Sequence, residues 1–234
     1  MKTKPASIAF RSAPQKSVQG LSIKCVSGRV TATTLIVIAA VAAALGLWLG
    51  QHFWTGRANV PMQAAMLYPQ PRALPEFQLV QGDGSPLTLS DFRNHYTVAF
   101  FGFTNCADVC PTTLTAFKQA QAKLAESGKD GDVRFAFVSV DPQRDTADVI
   151  KRYVAVFNKD FIAATGTDEE LTKLSHALGL VYSRGEPVNG NYAVDHSASA
   201  VIINPQAQQI GLFRPPLDAD KMAADLIALQ ARGG

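Results

Sequence analysis

The sequence predicts an α/β domain, a mixed sheet with helices on both faces, preceded by one long apolar helix. Three observations carry this. Short apolar runs that suit strands alternate with amphipathic segments that suit helices. The strongest run, Thr97 to Phe103, is apolar without alternation, as a strand buried on both faces requires. Residues Val30 to Gly56 contain no Asp, Glu, Lys or Arg. The 234 residues are 47% apolar and 18% charged, which suits one globular domain of about 150 residues plus an extra segment.

The extra segment is at the front. Leu35 to Gly50 is nearly all apolar, and about 20 helical residues cover the roughly 30 Å hydrocarbon core of a bilayer. Lys2, Lys4, Arg11, Lys16, Lys24 and Arg29 precede it, and no acidic residue occurs before Glu76. That imbalance keeps the amino end in the cytoplasm and exports the rest, so the expectation is a single-pass membrane protein with its C-terminal domain facing a bacterial periplasm. Trp48 and Trp54 would lie at the far interface. A cleaved signal peptide competes, but its basic and apolar parts are usually shorter. Cys25 precedes the apolar run, unlike the cysteine of a lipoprotein anchor, and reads as a bystander thiol. The expected organisation is a basic cytoplasmic tail over 1–30, a transmembrane anchor over 31–50, a tether over 51–74 and a folded domain over 75–234. The tether is inferred from Gly56, Pro61, Pro69 and Pro71 without sustained periodicity.

Within the domain, "FQLVQGDGSPLTLSDF" reads as two short strands around a Gly-Asp-Gly turn. "TVAFFGF" is a buried strand. "PTTLTAFKQAQAKLAES" is a helix beginning near Pro111, with Leu114, Phe117, Gln121 and Leu124 on one face. "DVRFAFVSV" is a second buried strand, and "DTADVIKRYVAVF" a helix opened by an Asp-Thr cap. Thr167 and Glu170 form a capping box at the head of "TDEELTKLSHALGL". "SASAVIINPQAQQIGLF" is a hairpin with an Asn-Pro turn, and "DADKMAADLIALQAR" is a closing helix. This order is compatible with a thioredoxin-like fold.

Chemistry concentrates in "FFGFTNCADVCPTTL". Cys106 and Cys110 fall between a strand and a helix, where unpaired amides favour thiolates, so both are expected to be reactive. Three intervening residues exceed the two of dithiol oxidoreductases and let both sulfurs address one external point, which suits a chelate. A structural disulfide competes, although so short a loop stabilises little. A chelate needs a third ligand. His52 reads as an interfacial residue, His95 as a satisfied loop histidine and His176 as a surface or edge residue of a helix. His196 falls at a strand end. It meets the thiols if the strand after it neighbours the one feeding them and enters from the same edge. Two thiolates and an imidazole select copper(I), with copper(II) also reachable. Zinc in a structural role would want a fourth ligand, for which Asp108 or Asp195 is available.

The sequence resembles the Sco/SenC family of membrane-anchored copper proteins, which assist assembly of the dinuclear copper centre of cytochrome c oxidase. The resemblance spans about Pro75 to Ala228. It rests on "FTNCADVCPTTL", "SVDPQRDTADVIKRYV", "FIAATGTDEEL" and "YAVDHSASAVIINP". It implies a thioredoxin-like fold, Cys106, Cys110 and His196 as copper ligands, and Asp108 as an acidic group that tunes the site from outside. It also implies, as partner, the oxidase subunit that receives copper. Asn105 departs from the histidine that many members carry before the first cysteine. Other copper carriers and thiol reductases are further partners this chemistry allows.

Two functional readings follow. One is a binding module, a copper chaperone and not an enzyme. The other is a thiol-disulfide reductase that uses Cys106 or Cys110 to keep the target's copper-site cysteines reduced. A peroxide-reducing thiol enzyme is disfavoured, because the nearest arginines in sequence, Arg93 and Arg134, are remote from the loop. The net charge of +3 reflects the basic front end and does not point to nucleic acid.

Overall fold

The computed structural model describes residues 31–54, 61–187 and 192–233. The basic tail, Cys25 and the side chains of His52 and Trp54 lie outside the described residues. The chain divides into two compact units, Met1–Gly56 and Arg57–Gly234.

In the first unit, α1 runs from Ala32 to Trp54. Leu35, Ile36, Val37 and Ile38 are all exposed at successive positions, so the helix has no polar face to turn to water. Among the described residues no helix is long and apolar enough to cross a membrane. Side chains of α1 are described only from Ala32 to Trp48, and the remainder of the expected anchor falls beyond them.

The second unit holds an eight-stranded mixed sheet. Its strands are β1 (Ala65–Ala73), β2 (Gln78–Gln81), β3 (Pro86–Thr88), β4 (Tyr96–Gly102), β5 (Val133–Ser139), β6 (Ile162–Thr165), β9 (Ala200–Ile203) and β10 (Gln208–Phe213). They are ordered β1-β10-β9-β4-β5-β6-β2-β3. Strands β7 (Tyr182–Arg184) and β8 (Val194–His196) form a separate antiparallel pair. The helices are α2 (Val109–Glu126), α3 (Ala147–Ala155), α4 (Asp168–Ala177) and α5 (Ala219–Gly233).

The unbroken apolar runs have a simple cause. Along β4, Tyr96, Val98 and Phe100 face one core, while Ala99, Phe101 and Phe103 face the other. Strand β5 alternates the same way, with Phe135 and Phe137 on one side and Ala136 and Val138 on the other. The first core is closed by α2, α3 and α5 through Phe117, Ile150 and Leu226, and the second by α4 through Leu171 and Leu174. Full burial of side chains such as Phe100 and Phe137 contributes about 1.5–3 kcal/mol each. The helix stripe has one amendment: Ala120 fills the inward position and Gln121 lies at the rim, where its Oε1 accepts from Asn158 Nδ2 at 2.7 Å.

The expected hairpin is β2–β3, with Gly84 at φ 87° supplying the left-handed turn position that a side chain would strain. The tether boundary is corrected: β1 lies inside 51–74 and pairs antiparallel with β10. Pro69 and Pro71 suggested a loop, yet β1 is an edge strand, where a residue without an amide hydrogen is tolerated, and its register shifts between Leu67 and Arg72. Buried Asp225 of α5 fixes the start of this strand by accepting the amides of Gln63, Ala64 and Ala65 at 2.7–2.8 Å. His95 is also corrected. It is buried in the bend before β4, Nε2 has no partner among the described residues although the ring keeps a hydrogen bond to the Arg93 backbone, and burial lowers its pKa.

Candidate metal centre

Strand β4 delivers the thiols. After Gly102 the chain turns through Phe103 and Thr104 to Cys106, and α2 starts at Val109, two residues earlier than Pro111 suggested. Cys110 therefore lies in the first helical turn. Pro111 fits beside it because the amide it lacks is one of those a helix start leaves unpaired. Asp108 precedes the helix without capping it. Its Oδ1 accepts the Thr112 hydroxyl at 3.3 Å. The Cys110 amide instead points at Cys106 Sγ, at 3.4 Å.

Strand β9 delivers the imidazole. It pairs antiparallel with β4, with Phe100 opposite Ala200. The chain therefore enters β9 at the edge where it leaves β4, which is the arrangement the sequence required for a meeting. His196 closes β8, just before that entry, and its ring meets Phe100 and Phe103 edge-on at centroid distances of 5.5 and 5.7 Å. Cys110 Sγ stands 3.6 Å from His196 Nε2, and one ligand atom from each of Cys106, Cys110 and His196 lies within 4.8 Å of the others. Asp108 and Asp195 are exposed and outside this group.

Protons in the site follow from its neighbours. His196 Nδ1 lies 3.1 Å from the Ser197 carbonyl, which can only accept, so in the neutral ring Nδ1 carries the hydrogen. Nε2 then keeps its lone pair toward the sulfurs, the tautomer a metal needs. Cys110 is fully buried, and burial pushes its pKa up, with Cys106 and Asp145 acting in the same direction. The expected activation of Cys110 by the helix start is thereby corrected. Desolvation of the buried thiolate outweighs the partial positive charge. Without metal, Cys110 is a neutral thiol positioned to donate to His196 Nε2. Cys106 is half-buried, packs against both cores, and neither cysteine is in a disulfide.

Two supporting residues were not assigned to the site from the sequence. Gly102 makes room for Cys110, since a Cβ there would stand 2.6 Å from Cys110 Sγ and 3.0 Å from Phe100 Cε1. A glycine closing an unbroken apolar strand is the signal that could have found it. Asp145, expected to help cap α3, is instead buried and holds the cysteine loop. It accepts the Thr104 amide at 2.8 Å, the Thr104 hydroxyl and the Ser139 hydroxyl.

A mixed sheet with helices on both faces, bearing two thiols at a strand-to-helix turn and an imidazole from the adjoining strand entry, defines a thioredoxin-like protein with a candidate thiolate–imidazole metal site. Comparison with known proteins gives the family. The SCO1/SenC family model matches residues 66–231, and the chain belongs to that family. The SCO2 homologue of Bos taurus mitochondria is 31% identical over 183 residues, which cover 77% of this chain and 67% of that protein. The crystal structure of Arabidopsis thaliana ScoI with copper bound superposes with a TM-score of 0.61 at 30% identity, covering 67% of this chain and 97% of that one. The solution structure of apo Sco1 from Thermus thermophilus gives a TM-score of 0.64 at 34% identity, covering 70% and 95%.

Proposed function

We propose that this chain binds one copper ion through Cys106, Cys110 and His196 and passes it to the dinuclear copper site of cytochrome c oxidase. The carrying observation is the convergence of two sulfurs and one imidazole nitrogen within 4.8 Å. Soft thiolates with an imidazole favour copper over harder ions, and the Arabidopsis relative holds copper on the same fold. Cys110 is the buried ligand, whereas Cys106 and His196 reach the surface in part. An incoming thiolate therefore meets the copper from the Cys106–His196 side, and transfer proceeds as stepwise ligand exchange. Asp108 tunes this open side by charge and is not a ligand. Copper analysis of the purified chain tests the reading: one copper per chain, lost in Cys106→Ser and in Cys110→Ser, supports it, and unchanged stoichiometry in either variant refutes it.

Thiol-disulfide exchange with the target's cysteines is the second reading. It is favoured by the pairing of a half-buried Cys106 with a buried Cys110 whose amide points at the first sulfur. Full oxidase assembly with His196→Ala would select this reading over copper delivery.

The same proposal places α1 across a membrane with the amino end in the cytoplasm and the metal domain exported to the periplasmic side. Its support is the charge-free stretch from Val30 to Gly56, the basic residues ahead of it and the exposed apolar side chains of α1. Release of the chain from membranes by alkaline carbonate would overturn this placement.

A further inference from the structure

Among the described residues, the hairpin that carries His196 has no strand pairing with the main sheet, and β7 and β8 pair with each other. The pairing of β9 with β4 brings His196 to the edge where the thiols lie, but among the described residues no backbone ladder pins the hairpin that carries it. Side chains hold that hairpin, Val194 in the core and Arg184 on β7 among them, and several of these contacts meet at Arg144. Arg144 follows β5, and its guanidinium carbon stands 3.8 Å from the centroid of Tyr192 and 5.9 Å from that of Phe103. Tyr192 belongs to the segment leading into β8, and Phe103 to the segment leading to Cys106. Phe103 in turn meets the His196 ring edge-on.

Hydrogen bonds fix the guanidinium in that position. Arg144 Nη1 donates to the Tyr192 carbonyl at 3.0 Å, and Nε donates to Asp141 Oδ2. Asp141 is fully buried, its amide is held by Ser139 Oγ at 3.1 Å, and its Oδ1 accepts the Tyr192 hydroxyl. Arg184 of β7 joins the same carboxylate, with Nε 3.8 Å from Oδ1, and donates to the Val140 carbonyl. A planar cation anchored to a buried carboxylate thus lies within cation–π reach of one aromatic ring from each ligand-bearing segment.

We propose that Arg144 is a positioning residue for the metal centre: anchored by Asp141, it clips the His196 segment to the cysteine segment and so sets the distance from imidazole to thiols. This rests on the copper reading above for its consequence, though not for its geometry. Lysine cannot substitute, because it lacks the flat fork that stacks on a ring and donates in two directions at once.

The test uses the full-length chain in detergent micelles, comparing wild type with Arg144→Lys, Tyr192→Ala and Leu124→Ala, the last a core truncation in the final turn of α2, about 21 Å along the helix from Cys110. Copper competition titration is expected to show Arg144→Lys and Tyr192→Ala binding about tenfold or more weakly, still at one copper per chain. Their copper(II) adducts should show weakened nitrogen hyperfine coupling in electron paramagnetic resonance. Leu124→Ala should lower Tm but keep wild-type affinity and spectrum. Arg144→Lys with wild-type affinity and spectrum overturns the proposal, and so does an equal loss in Leu124→Ala, which would make the effect one of general stability. In metal-free protein, the His196 imidazole resonances should move in Arg144→Lys, and unmoved resonances also overturn the proposal. Wild-type chain that binds no copper would sink the copper reading alone, while those resonances still decide the role of Arg144.

Discussion

The two halves of the metal centre are built differently. The thiol half grows out of the central strand: β4 leads straight to Cys106, Asp145 holds Thr104, and Cys110 is locked into the first turn of α2 above Gly102. The imidazole half hangs on a two-stranded hairpin outside the main sheet, held by Arg144, Tyr192 and the two phenylalanine edges. A rigid pair of soft ligands beside a separately carried third one suits a site that must hold an ion and also release it. On the copper reading proposed above, the thiols would retain the metal and the imidazole would be the ligand with fewer structural commitments.

The largest expected effect comes from the rigid half. Serine at position 106 or 110 removes a soft ligand, and copper per chain by elemental analysis should fall to background. His196→Ala is expected to do less, because both thiols persist. Thiolate-to-copper(II) charge transfer should remain visible while nitrogen hyperfine coupling disappears. If His196→Ala lost copper as completely as the cysteine variants, the halves would not differ as described.

Gly102→Ala comes next. Its methyl group would press on Cys110 Sγ and on the buried Phe100 ring, and overpacking of this kind costs about 1–3 kcal/mol. Thermal unfolding should show a lowered Tm, and copper affinity should drop with it. An alanine variant with wild-type Tm and affinity would mean that the thiol half is less rigid than its packing indicates.

Acid and base should also separate the halves. Cys110 is a neutral thiol without metal because burial raises its pKa, so copper binding there releases its proton and affinity should fall as pH falls. Titration calorimetry in buffers of different ionisation enthalpy reads this release directly. For the metal-free fold the sign is opposite. The raised pKa stabilises the fold fully below about 9, where the unfolded thiol is also neutral, and that contribution is lost as pH rises further. Alkylation under native conditions should label half-buried Cys106 ahead of buried Cys110. The smallest effect belongs to Asp108→Asn, expected to leave copper stoichiometry unchanged, since that side chain is exposed and, among the described residues, hydrogen-bonds to the Thr112 hydroxyl.

The sequence made the thiol half legible because local pattern and chemistry coincide there. An unbroken apolar strand, two cysteines and a proline announce a buried strand, a turn and a helix start within fifteen residues. His196 was legible as a conditional, since sequence shows a histidine ahead of a strand but not which strand that one will neighbour. The antiparallel pairing of β9 with β4 supplied the missing fact. Arg144, Asp141 and Tyr192 could not be read as a unit, because their contact joins segments almost fifty positions apart through side chains alone. Strand β1 was missed for another reason. Edge strands tolerate proline, so the local signal for a loop was sound and the pairing with β10 outweighed it. The pKa of Cys110 went the other way from expectation because depth of burial is a tertiary property that helix position does not reveal.

The most direct test is X-ray absorption at the copper edge on the full-length chain loaded with one equivalent of copper(I). Two sulfur scatterers and one nitrogen scatterer are expected for wild type, with the nitrogen missing in His196→Ala and a sulfur missing in either cysteine variant. A spectrum that does not change when His196 is replaced would contradict the claim that these two segments meet on a single ion.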